Sequence, residues 1–226
     1  MAIDKRVATA AAAMIGVKDG ATVFVSGFGG AGFPNVLLQA LLELGPKELT
    51  LVANSATHRY SITHELIAAG MVRHVICSAA RGHDKSGLSA FEELYKVGKI
   101  GLTLLPQGTF SEAIRAGGAG IPAFFTPVGY GTDLAKGKET REIKGRNYVL
   151  EEAISGDLAL IRADMSDRYG NLHFRQAQAN FGPVMATAAK LTVAEVRATI
   201  DAPMAQSDIT LPGVYVDRVV AVGSGT

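Results

Sequence analysis

The chain has 226 residues, of which 48% are hydrophobic and 19% are charged. This length predicts one large domain over residues 1–226, and the low charge content predicts extensive burial rather than disorder. A net charge of +1 provides no broad basic field, so we expect no nucleic acid as a partner. The single cysteine excludes an internal disulfide framework, and the scattered histidines lack the spacing of metal ligands, so we expect no metal site.

The cellular location is predicted from what the sequence lacks. No apolar run approaches the ~18 residues that a membrane-spanning helix needs, so we expect no membrane partner. The first 20 residues are rich in alanine and predict a helix without the cleavage pattern of a secretory signal. Both features favour the cytoplasm.

In the first half of the chain, short apolar runs alternate with helical patterns. We predict strands at 21–25, 48–53, 74–78 and 102–105, and helices at 34–44, 63–69, 91–97 and 111–116. Strands that are apolar throughout are typical of a parallel sheet covered on both faces. The sequence therefore predicts an α/β fold with an open, mostly parallel sheet, helices on both faces, and ligands at the carboxyl ends of the strands.

The second half of the chain has a different texture, without a linker that would mark a domain boundary. Residues 117–131 are rich in glycine, proline and aromatic residues and predict an ordered functional loop. Residues 136–146 carry many charges and favour a flexible exposed loop, with attraction of phosphates as the alternative. Beyond them we predict a β-rich region with strands at 147–151, 157–162, 171–174, 192–196 and 214–222 and a helix at 181–190.

A glycine-rich loop follows the first predicted strand. Gly27, Gly29 and Gly32 fit the G-x-G-x-x-G pattern of a dinucleotide site between a strand and a helix. That site also needs an acidic side chain about 20 residues further on, but the second strand ends in residues 53–55, Ala-Asn-Ser. Pro34 also removes a backbone donor from the helix terminus. A nucleotide-binding dehydrogenase and a plain turn remain alternatives to the favoured hypothesis, a loop that contacts a substrate carbonyl, thioester or carboxylate.

Residues 19–34 resemble the first signature of family I coenzyme A transferases, which has an Asp-Gly pair, three apolar residues, Gly-Gly-Phe and Gly-x-Pro. Ser26 stands where the first glycine of Gly-Gly-Phe is usual. Further blocks resemble the α subunit, also called the A subunit, of 3-oxoacid and 3-oxoadipate CoA-transferases, at residues 105–109, 117–125, 129–132, 170–171, 180–181 and 214–218. The resemblance extends over essentially the whole chain.

This resemblance implies transfer of CoA from succinyl-CoA to a 3-oxo acid, 3-oxoadipate or acetoacetate, by a ping-pong mechanism through a glutamyl-CoA thioester. An acetate or butyrate CoA-transferase is the alternative within the same chemistry. In the family the glutamate lies in the β subunit, within a Ser-Glu-Asn-Gly motif that is absent here, and Glu112 is better explained as a solvated helix carboxylate. The resemblance thus implies a β-subunit partner, a heterotetramer, acyl-CoA and carboxylic acid substrates, and no tightly bound cofactor.

Two neutral side chains are the predicted catalytic residues of this chain. Gln107 and Asn54 each follow a predicted strand, and their amide N–H groups could stabilise an oxyanion. The resemblance places a substrate-facing glutamine at Gln107. The residues expected to line the thioester or acyl group are those of the glycine loop, Gly27, Phe28, Gly29, Gly30 and Gly32. Phe28 and Phe33 could form apolar walls, although Phe28 could equally belong to the core.

The group that binds a substrate carboxylate stays open. The candidate cations, each more often a solvated charge, are Arg81, Lys85 and Arg115. His58 and His83 are expected in loops near strand ends, and a catalytic pairing of His83 with Asp84 is disfavoured because adjacent side chains seldom converge. Cys77 lies within an apolar strand and is expected to be inert core.

Overall fold

The computed structural model describes residues 3–57, 61–80 and 87–223. His58, Arg81, His83, Asp84 and Lys85, considered above as candidates, lie outside these residues. None of the helices within the described ranges is both long enough and apolar enough to cross a membrane.

The described strands form one large sheet and one small sheet. The large sheet contains β1 (Thr22–Val25), β2 (Leu49–Ala53), β3 (Val72–Cys77), β4 (Gly101–Leu104), β8 (Gly156–Asp167), β9 (Leu172–His173), β10 (Ala189–Ile200) and β11 (Arg218–Ala221). Its order is β11-β10-β8-β1-β2-β3-β4, all parallel, and the short β9 pairs antiparallel with β8. The small antiparallel sheet has the order β5-β7-β6 and consists of β5 (Ala123–Thr126), β6 (Thr140–Ile143) and β7 (Arg146–Glu152).

Helices cover both faces of the large sheet, as the apolar strands predicted. They are α1 (Ala10–Ala13), α2 (Asn35–Leu44), α3 (Thr63–Ala68), α4 (Ala90–Lys96), α5 (Gln107–Gly118) and α6 (Gly182–Ala188). Side chains alternate between the faces along β1, so Val23 and Val25 pack with α1 to α4 while Phe24 packs with α5 and α6. The α/β prediction, with its parallel sheet and added β-rich second half, is confirmed.

Several predicted boundaries were wrong, most of them in the second half. The supposed loop at 117–131 contains β5, and the supposed loop at 136–146 contains β6, which forms a hairpin with β7. β6 is exposed at every position, so no alternation of apolar residues marks it as a strand. Lys144 and Gly145 have positive φ angles of 51° and 74°, which are typical of a two-residue hairpin turn.

The observed ends of several helices and strands also differ from the ends that the sequence predicted. The alanine-rich N-terminal helix is limited to Ala10–Ala13, and the helix predicted at 181–190 ends at Ala188 because Lys190 already belongs to β10. The strand predicted at 214–222 is replaced by a 3₁₀ turn, Gly213–Tyr215, followed by β11. The fifth helix begins at Gln107 rather than residue 111, which places this candidate on a helix instead of in a turn.

Candidate active site

Three neighbouring strand ends bring polar side chains together at the carboxyl edge of the large sheet. Asn54 directly follows β2, Ser78 follows β3, and Gln107 begins α5 shortly after β4. Gln107 Nε2 donates to Asn54 Oδ1 across 2.9 Å. Ser78 Oγ donates to the same Oδ1 at 2.8 Å and also lies 3.0 Å from the Asn54 carbonyl oxygen. The structure therefore brings both sequence-predicted donors together and adds Ser78, which sequence reasoning missed.

These contacts orient the Asn54 amide. Its Oδ1 accepts two hydrogen bonds, whereas its Nδ2 makes none within the part of the chain that the structure describes. Gln107 is exposed and donates one of its two amide hydrogens to Asn54. The second amide hydrogen can be donated to a ligand. The pair thus presents neutral N–H donors at the sheet edge, and such donors suit an oxygen that becomes negatively charged.

The glycine loop lies beside this pair and requires its glycines. Gly29 and Gly30 have positive φ angles of 60° and 90° and form a two-residue turn. Phe28 and Ala31 close this turn with two backbone hydrogen bonds of 3.0 Å. At Gly27, where φ is 129°, a Cβ atom would collide with the Phe33 ring.

Two side chains from outside the loop hold it in place. Ser26 is 1% exposed, and its Oγ donates to the Gly32 carbonyl at 2.6 Å while accepting from the backbone N–H of Arg162. Asn180 Oδ1 accepts from the backbone N–H of Gly27 at 3.0 Å, and its Nδ2 donates to the Ala31 carbonyl at 3.1 Å. Ser26 therefore adds a bridge that a glycine in its place could not make.

The aromatic residues of the loop have different environments. Phe28 is 48% exposed and contacts the edge of the Phe181 ring at 6.4 Å between centroids, so it is not a core residue. Phe33 packs over Gly27, as the collision at that position shows. An exposed Phe28 is available as an apolar wall for a ligand.

The N-terminus of α2 is already occupied by an internal carboxylate. The backbone N–H groups of Val36 and Leu37 both donate to Glu195 Oε2, at 2.9 and 3.1 Å. Glu195 is fully buried and forms an ion pair with Arg162 through its other oxygen. Burial raises the pKa of Glu195, while Arg162 and the two N–H groups oppose this change. A pyrophosphate would have to displace this carboxylate from the two N–H groups, which argues against the dinucleotide alternative.

The other candidate residues have local roles. Arg115 pairs with Glu112 at 2.7 Å on the exposed side of α5, and its hydrogen bond lowers the pKa of Glu112. Cys77 is fully buried, and burial raises its pKa to about 11, which is typical of an inert thiol. Across residues 3–57, 61–80 and 87–223, no group of three or more His, Cys, Asp or Glu side chains could hold a metal ion.

A parallel α/β sheet whose strand ends carry neutral donors beside a glycine loop suits an enzyme that stabilises a developing negative charge on oxygen. The chain belongs to the coenzyme A transferase family, whose family model, described as Coenzyme A transferase, matches residues 7–222. It is therefore a CoA-transferase chain.

Individual relatives agree with this assignment. The chain is 47% identical over 221 residues to the A subunit of 3-oxoadipate CoA-transferase from Pseudomonas putida, with 97% of this chain and 94% of the relative covered. It is 44% identical over 218 residues to the A subunit of succinyl-CoA:3-ketoacid coenzyme A transferase from Xanthomonas campestris pv. campestris strain B100, with 96% and 88% covered.

Solved structures share the fold. An acyl-CoA transferase from E. coli O157:H7, solved as a thioester complex with CoA, matches with a TM-score of 0.81 at 22% identity. The alignment covers 97% of this chain but 47% of that one, so the chain spans about half the length of that enzyme.

Proposed function

We propose that the chain is the α subunit of a heteromeric CoA-transferase that moves CoA from succinyl-CoA to a 3-oxo acid, either 3-oxoadipate or acetoacetate. The two bacterial relatives with 3-oxoadipate or succinyl-CoA:3-ketoacid in their names support the proposal, because they align with this chain over nearly its whole length. A separate β subunit is the proposed partner, and a CoA thioester is a substrate rather than a resident cofactor.

The hydrogen bond between Gln107 and Asn54 carries the chemical part of the proposal. Attack on a thioester or an anhydride places negative charge on the carbonyl oxygen, and preorganised donors stabilise that charge. Both side chains are uncharged amides, so they can stabilise the oxyanion without holding the substrate carboxylate tightly. Their proposed role is that of oxyanion donors, while Gly27, Phe28, Gly29, Gly30 and Gly32 lie against the acyl group.

The nucleophile is proposed to be a glutamate of the partner subunit. Its carboxylate attacks the acyl-CoA carbonyl and expels the CoA thiolate, which leaves a mixed anhydride. The thiolate then attacks the glutamyl carbonyl and releases the donor acid, which gives a glutamyl-CoA thioester. The carboxylate of the acceptor acid attacks this thioester, and the same steps in the opposite direction give the acceptor acyl-CoA and the free glutamate. In this chain Glu195 is buried against Arg162 and Glu112 is paired with Arg115, so neither is free to attack.

The test is to assay this chain alone and after assembly with the β subunit encoded in the same organism. We expect exchange between succinyl-CoA and a 3-oxo acid only from the assembled enzyme. Reduction of the thioester intermediate with borohydride, followed by mass spectrometry, should locate the modified glutamate on the partner. Turnover by the isolated chain, or a modified glutamate within residues 1–226, would contradict the proposal.

A further inference from the structure

A second space opens on the other side of the glycine loop. This cleft of about 460 Å³ lies between residues 30–33 of the loop and the turn formed by residues 175–178. Its volume is within the ~300–1,000 Å³ that is common for small-molecule sites. Phe33 lines both the cleft and the small pocket that contains Asn54, so the two spaces share one side chain as a wall.

The cleft carries one guanidinium without a direct partner among the described residues. Arg162 and Glu195 both line it, but they form an ion pair with each other. The guanidinium of Arg175 makes no hydrogen bond and no ion pair within residues 3–57, 61–80 and 87–223, although Arg175 lines the cleft. Arg175 helps to lower the pKa of the nearby Asp164, but that carboxylate already pairs with Arg197 at 3.0 Å.

The backbone that presents Arg175 is well defined. Gln178 Oε1 accepts a hydrogen bond from the backbone N–H of Arg175 at 3.0 Å, and the backbone N–H of Gln178 donates to the Arg175 carbonyl at 3.1 Å. Asn180 Nδ2 donates to the Ala177 and Gln178 carbonyls, and to the Ala31 carbonyl of the glycine loop. The turn and the glycine loop are thus held at a fixed separation by one amide.

The remaining walls combine apolar and polar side chains, the polar ones being those of Asn35, Gln176 and Gln178. Ala31, Phe33, Val36 and Ala177 contribute the apolar part of the lining. An apolar part of the wall beside one unpaired guanidinium suits a short methylene chain that ends in a carboxylate, because arginine binds carboxylates with two parallel hydrogen bonds.

We propose that this cleft binds the free carboxylate of a dicarboxylic acyl group, with Arg175 as the specificity-determining cation. The proposal rests on the proposed function, in which the donor is succinyl-CoA and one candidate acceptor is 3-oxoadipate. The proposal places the distal carboxylate beside Arg175 and directs the reacting carbonyl towards Asn54, past the Phe33 side chain that lines both spaces. A monocarboxylic acyl group of the same length makes no such contact.

The experiment compares two donors in the enzyme assembled with its partner subunit. Succinyl-CoA and butyryl-CoA have acyl chains of equal length, but only the succinyl group ends in a carboxylate. We expect Arg175→Met to lower kcat/KM for succinyl-CoA by about 10- to 100-fold, mainly through KM, because a charge-assisted hydrogen bond is lost. With butyryl-CoA the change in kcat/KM should stay within about threefold, since the butyryl group has no carboxylate to pair with the positive charge of Arg175.

Two further variants separate charge from structure. Arg175→Lys keeps the positive charge and should recover part of the activity with succinyl-CoA. Arg146→Met makes the same chemical change at an exposed position of the small sheet and should leave kcat/KM unchanged with both donors. An equal loss with both donors, or no loss with succinyl-CoA, would overturn the proposal.

A binding measurement tests the cleft independently of turnover. Inhibition or titration of the assembled enzyme with succinate and butyrate should show weaker succinate binding in Arg175→Met and unchanged butyrate binding. If the wild-type enzyme fails to use succinyl-CoA with any 3-oxo acid, the proposed function fails. Selective succinate binding that depends on Arg175 would still support the cleft, whereas equal binding of the two acids would overturn it.

Discussion

Gln107 donates its side-chain amide to Asn54 Oδ1 at 2.9 Å, although 53 positions separate the two residues in the chain. The contact exists because β2 and β4 end at the same edge of the sheet, with only β3 between them. Together with the hydrogen bond from Ser78, it occupies Asn54 Oδ1 and leaves Asn54 Nδ2 as the donor of that side chain. An oxygen atom that approaches this edge therefore meets side-chain N–H donors rather than Asn54 Oδ1.

The first prediction concerns Gln107→Ala in the assembled enzyme. The substitution removes one donor and one of the two bonds that orient Asn54, so kcat should fall about 10²- to 10³-fold. The melting temperature should change little because Gln107 is exposed. Gln39→Ala, which removes another exposed helical glutamine, is the matched control and should keep full activity. Activity near wild type in Gln107→Ala would show that its role as a donor is wrong.

The second prediction concerns Ser26, which stands where the family signature usually has glycine. Ser26→Gly leaves the buried Gly32 carbonyl and the Arg162 N–H without the hydroxyl that joins them. We expect the free energy of unfolding, measured in urea, to fall by about 1 to 3 kcal/mol. Ser207→Gly at an exposed position should cost about 1 kcal/mol or less. Equal losses in the two variants would mean that the bridge contributes nothing.

The sequence predicted Asn54 and Gln107 because each follows an apolar strand, and strand ends of a parallel sheet share one edge. It could not predict the contacts of Asn180. These contacts depend on β8 lying between β10 and β1, and local sequence patterns do not encode that strand order. Asn180 reaches Gly27 across 153 positions, and it does so from an irregular segment just before α6.

The third prediction concerns acid stability and Asp157. Its carboxylate accepts from the backbone N–H of Thr22 and from Lys190 Nζ, both at 2.9 Å, and these bonds lower its pKa below the ordinary value of 3.8. A carboxyl group whose pKa is lower in the folded chain stabilises that chain above its unfolded pKa, and this contribution is lost as the pH falls. Wild type should thus be more stable than Asp157→Asn at pH 7, as measured by urea unfolding.

The difference between these two proteins should shrink below about pH 4, first as the carboxyl group is protonated in the unfolded chain and then, at lower pH, as it is protonated in the folded chain. Asp133→Asn is a suitable control because Asp133 is exposed and its ion pair is with the exposed Lys136. A difference between wild type and Asp157→Asn that stays constant from pH 7 to pH 3 would contradict the assignment.

The last prediction concerns Asn180 as a positioning residue for the glycine loop. Asn180→Asp keeps the oxygen that accepts from Gly27, but it loses the donor to Ala31 and places a carboxylate oxygen near backbone carbonyls. The loop should loosen, so the backbone amides of Phe28 and Ala31 should exchange hydrogen faster. Because small displacements at a reacting centre are costly, kcat should fall by about 10²-fold. Asn147→Asp at an exposed strand position should change neither quantity, and unchanged exchange in Asn180→Asp would show that the loop holds its shape without this amide.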